Sequence, residues 1–199
     1  MNSNLIPEQK VGSKLDLSSE KKFATYDEAH QFYELAKQRL MSVNQWDETC
    51  KAPSSVFKLM NDKCQQIVGT VKEGDFIRID IPGPGSKEGD GYDWVKVETI
   101  TEQQILDEEI LSITVRPSHH PLKKFSETAH FFKDDATSTF QVKRKGNTVF
   151  AEIHGRNELP NTVAKSLFDK LRNSIIGWIA KIGFSYPQWK CLTEGLIAT

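Results

Sequence analysis

The chain has 199 residues, with 26 Lys and Arg against 27 Asp and Glu, a formal net charge of -1. That balance lacks the basic surplus of a general phosphate-backbone binder, so no nucleic-acid partner is expected. Hydrophobic residues at 38% and aromatics at 10% are too many for a disordered chain and enough for a packed core.

The length fits one α+β domain over 22–199 preceded by a flexible tail over 1–21. Within that tail, Leu15 and Leu17 alternate with charges, so a short edge strand over Val11 to Leu17 is the alternative. Cys50, Cys64 and Cys191 form no CxxC pair and no zinc spacing. They read as free thiols in a reducing compartment, with no metal and no cofactor implied. The most apolar run, Ile175 to Ala180, is closed by Arg172 and Lys181, far short of the ~20 residues a membrane span needs. The Met1–Pro7 segment lacks the basic and apolar regions of a secretory signal. A cytoplasmic location with no membrane association is the resulting expectation.

The first element starts at a capping box, Thr25-Tyr26-Asp27-Glu28. Ala29, Phe32, Tyr33, Ala36 and Leu40 follow on one stripe, which predicts a helix over 26–42. Pro53 and the apolar Val56, Phe57, Leu59 and Met60 predict a short second helix over 53–60, with Trp46 packed on the core before it. From about residue 65 the period changes to two. Ile77, Ile79 and Ile81 alternate with Arg78 and Asp80, and Val95 and Val97 alternate with Trp94, Lys96 and Glu98. The Gly- and Pro-rich stretch over 82–91 between them reads as a long hairpin loop. Its Gly85-Ser86-Lys87 lacks the spacing and following helix of a phosphate loop. Strands are also expected at 109–116, with Leu111, Ile113 and Val115 inward, at 137–144, and at 148–153. The last two flank a Lys145-Gly146-Asn147 tip.

The strongest helical pattern is the last. Ala164, Leu167, Phe168, Leu171, Ile175, Trp178, Ile179 and Ile182 form a wide stripe over 162–182, ended by Gly183. Pro187 then opens a short terminal helix carrying Trp189, Leu192 and Leu196. Helices and strands are segregated, which gives an α+β domain: N-terminal helices, a mostly antiparallel curved sheet of about six to seven strands, and a long C-terminal amphipathic helix. In element order this arrangement resembles the helix-grip fold of lipid- and hormone-binding START-like proteins. The rival is an SH3-like small barrel over 65–118 with a separate α+β half.

Four side chains stand out as candidate ligand contacts: Trp94, His130, His154 and Arg156. Trp94 follows the long loop and can stack on a ring. His130 and His154 are a candidate acid–base pair if their strands align. Arg156 precedes the last helix, where a carboxylate or phosphate would be favoured. These predict a small-molecule pocket between sheet and final helix. One alternative is a protein-interaction module using Trp94, Ile176 or the Trp189 segment. Another is a hydrolase or isomerase with His154 or His130 as base.

Overall fold

The computed structural model describes residues 5–50, 55–81, 87–123, 127–161 and 187–199. Its strands are β1 (Ser13–Lys22), β2 (Val56–Met60), β3 (Phe76–Asp80), β4 (Asp93–Ile105), β5 (Glu108–Pro117), β6 (Thr137–Lys145) and β7 (Thr148–Glu158). They form one antiparallel 7-stranded sheet in the order β1-β7-β6-β5-β4-β3-β2. From β2 to β7 each strand pairs with its sequence neighbour. β1 crosses to the far edge, with Leu17 opposite Ile153 and Lys22 opposite Thr148. The connection from β1 to β2 carries α1 (Tyr26–Met41) and α2 (Trp46–Thr49). Residues 187–196 form a further helix, α3.

The α+β, helix-grip-like arrangement is thus the observed one, built on an open curved sheet. The SH3-like rival is overturned, because β3, β4 and β5 run without a break into β6, β7 and β1. The predicted helix over 162–182 lies outside the described residues. Among the described residues no helix is long and apolar enough to cross a membrane.

Strand alternation decides which face is apolar. Phe57, Leu59, Ile77, Ile79, Val95, Val97, Leu111, Ile113, Val115, Phe140, Val142, Val149, Ala151 and Ile153 all belong to one buried cluster. They lie on the inner face of the sheet. α1 covers β6 and β7 from that side. Its capping box forms as the sequence requires: the Thr25 hydroxyl accepts from the Glu28 N–H at 3.2 Å, and the Glu28 carboxylate accepts from the Thr25 N–H at 3.2 Å. Its buried residues are Ala29, Phe32, Tyr33, Ala36 and Leu40, the stripe that the spacing marks.

Three local expectations change. Ser13–Lys22 is the edge strand β1 rather than part of a flexible tail. The edge-strand alternative drawn from Leu15 and Leu17 is the one that holds, and pairing with β7 carries it on to Lys22. Val56–Met60 is strand β2 and not part of a helix, with Phe57 and Leu59 turned inward and Lys58 between them. Five residues with four apolar side chains fit either period, and the register against β3 decides. Cys50 and Cys191 are joined as a disulfide, with Cα atoms 5.3 Å apart. Cys64 is the free cysteine. The reading of all three as free thiols is therefore corrected: residues far apart in sequence meet only because α3 packs back on α2.

Candidate functional site

α3 is held on the inner face from several sides. The Thr193 hydroxyl lies 2.8 Å from that of Ser19 on β1. Arg39 of α1 donates to the Leu196 and Ala198 carbonyls at 3.0 and 2.6 Å, satisfying the helix C-terminus. At Gly195 a Cβ would lie 2.2 Å from the Thr49 carbonyl oxygen, so only glycine permits this approach to α2. The disulfide adds a covalent tie one turn earlier.

So anchored, the first turn of α3 brings Gln188 and Trp189 over a cavity in the core. Its floor is the inner face of the sheet: Phe57, Ile77, Ile79, Val95, Val115, Ser138 and Phe140. Trp46 of α2 closes one wall, and the His130-Phe131-Phe132 segment and Glu158 close another. The aromatic rings interlock. Trp46 meets Phe57 and Phe140 with centroids 5.4 and 4.9 Å apart, and Trp189 meets the same two rings at 5.9 and 5.4 Å. The cavity has a volume of ≈ 60 Å³. That is room for a few waters.

Polar groups in this wall are few and distinct. His130 is buried and its ring lies 4.4 Å from that of Phe131. Its Nδ1 accepts the Phe132 N–H at 3.0 Å, which places the proton of the neutral ring on Nε2. The segment itself is pinned by Asn161, whose N–H donates to the Phe131 carbonyl at 2.8 Å. Burial pushes the Glu158 carboxyl above its ordinary range, and the Ser13 hydroxyl and the Arg156 charge offset only part of that. Gln188 is 4% exposed, and neither its Oε1 nor its Nε2 has a hydrogen-bond partner among the described residues.

The four residues singled out in the sequence do not converge. His130 alone lines the cavity. Trp94 is 2% exposed and packs with Met60, Phe76 and Ala129 in a separate cluster. Its indole N–H donates to the Gly89 carbonyl at 3.1 Å, and its ring meets His120 edge-on at 4.8 Å. The outward alternation from Val95 was legible; the cover over that face was not. His154 and Arg156 also point outward, where they clasp Asp16 of β1 at 2.7 and 2.6 Å. Burial alone would raise the Asp16 carboxyl, but the hydrogen bonds from His154 and Arg156 outweigh it and hold the group below its ordinary value. Ile176 lies outside the described residues. Gln188 carried no signal in the sequence, because its significance depends on a cavity built from residues far from it in the chain.

Among the described residues no group of three His, Cys, Asp or Glu side chains is placed to hold a metal ion. No protein-family model matches the chain, and no curated protein matches it. Solved structures resemble it in overall shape. A hypothetical protein, jhp0584, from Helicobacter pylori superposes with a TM-score of 0.48 at 11% identity, over 94% of this chain and 87% of that one. Ara h 8.0201 gives 0.37 at 12% identity, over 94% and 100%. Norcoclaurine synthase from Thalictrum flavum, in complex with dopamine and hydroxybenzaldehyde, gives 0.35 at 11%, over 92% and 88%. At such identities and scores no residue's role carries over to this chain.

Proposed function

We propose that the protein binds a compact, mainly apolar small molecule in the cavity between the inner face of the sheet and α3. The observation that carries this reading is the cavity itself. Protein interiors pack to crystal-like density, and voids above the size of a water are few. This one is walled by Trp46, Phe57, Phe131, Phe132, Phe140 and Trp189, rigid side chains that offer a ring large contact area at little entropic cost. His130 adds an oriented imidazole to that wall, and is the member of the sequence-derived set retained as a ligand contact.

Indole serves as a flat aromatic test ligand matched to the ring-lined wall. A ligand at 100 times its Kd stabilises the native state by about 2.7 kcal/mol, so saturating indole should raise the thermal midpoint. Val115→Phe fills the cavity from its floor and should abolish the shift while the variant keeps its far-UV circular dichroism. An equal shift in the filled variant would place indole elsewhere and remove the reading.

A further inference from the structure

We infer that the Gln188 carboxamide is a recognition group, and that the cavity selects a neutral ligand carrying an adjacent hydrogen-bond donor and acceptor, such as an amide or lactam. This deepens the binding reading above and rests on it. A carboxamide has two N–H donors and a carbonyl acceptor. Leaving both ends unpaired in a buried position costs about 1–3 kcal/mol per group, and native structures rarely tolerate it without a reason. Here both ends are unpaired among the described residues, in a side chain 4% exposed on the cavity wall.

The side chain cannot relieve this by carrying its helix away. Cys191 is bonded to Cys50, Thr193 meets Ser19, and Gly195 seats against Thr49. Gln188 is therefore a fixed polar spot on an aromatic wall. An amide or lactam edge pairs with a carboxamide through two parallel hydrogen bonds, whichever way the Gln188 amide is turned. Glu158 lines the same cavity, so a carboxylate ligand would meet a second carboxyl group there and is disfavoured.

Benzamide, benzoate and cumene separate these terms, since all three carry one ring and a branched three-atom substituent. Calorimetric titration of the full chain at neutral pH should show benzamide binding and benzoate binding at least tenfold more weakly. In Gln188→Met, the benzamide-to-cumene Kd ratio should rise about tenfold or more, since one lost charge-neutral hydrogen-bond pair is worth about 1.4 kcal/mol or more. Gln188→Leu, which removes both the donors and the acceptor, should weaken benzamide to a similar extent. Far-UV circular dichroism checks that each variant folds. Cumene binding with a ratio unchanged by either substitution would overturn the role of Gln188 and leave the cavity reading standing. Failure of both benzamide and cumene to bind the unaltered protein would overturn both.

Discussion

A buried arginine lies at the edge of the core. Arg144 is 0% exposed at one end of β6, beneath the first turn of α1. Its Nε donates to Glu109 at 2.5 Å, its Nη2 to the Tyr26 hydroxyl at 3.0 Å, and its guanidinium lies 4.1 Å from the centre of the Tyr26 ring. His30 reaches the same Glu109 oxygen at 3.0 Å. Burial would raise the Glu109 carboxyl, but the bonds from Arg144 and His30 outweigh it and hold the group below its ordinary value. The unfolded chain therefore takes up this proton at higher pH than the native state does. The contribution to stability is complete above the ordinary carboxylate range and is lost as pH falls through the lowered value. Arg144→Met leaves Glu109 buried without its main partner and should cost about 3–5 kcal/mol at neutral pH. Urea midpoints measured from pH 7 to 3 should fall less steeply in the variant than in the parent. Parallel curves would show that the pair does not couple to folding.

The helices show how much of each element was written locally. α1 was legible in full, because a capping box and a five-residue stripe are both short-range signals. α3 was legible through Leu192 and Leu196, which are 0% and 1% exposed. β2 was not, because Val56–Met60 has no intrinsic period and takes its conformation from β3. The cavity was legible only as an idea. His130 could be named from the sequence, whereas Trp94, His154 and Arg156 fell on the other face once the pleat was fixed. Gln188 could not be named, since a glutamine in a helix is ordinarily a solvated residue. The seat of α3 is open to a direct test. Gly195→Ala improves helix propensity by about 1 kcal/mol. The added methyl, however, would sit 2.2 Å from the Thr49 carbonyl and 2.8 Å from its Cγ2. Backbone must shift, at a cost of roughly 1–3 kcal/mol, so the urea midpoint should fall. A rise would mean that α2 and α3 have room to separate.

Across the whole molecule, the Cys50–Cys191 bond ties residues 141 apart in sequence. On a chain-entropy argument a loop of that length contributes up to about 5 kcal/mol by restricting the unfolded state. Reduction with dithiothreitol should lower the urea midpoint of the parent, and Cys50→Ala/Cys191→Ala should match the reduced parent and ignore the reductant. A parent indifferent to reductant would show that packing alone holds α3. The sequence offered three cysteines without a pattern, and only the return of α3 onto α2 reveals which two meet.

The edge position of β1 has a consequence in time. Its partners Ser13 and Glu158 stand 145 residues apart, whereas every other strand pairs with one made shortly before or after it. During translation β1 therefore emerges with no complementary edge and must wait until Glu158, 145 residues after Ser13, has followed. Its alternating Lys14, Asp16, Ser18 and Glu20 keep that waiting ribbon charged, which discourages two nascent molecules from zipping together. The price of a late closure is a long loop entropy to overcome, and the polar stitching of the first strand is what makes the delay safe.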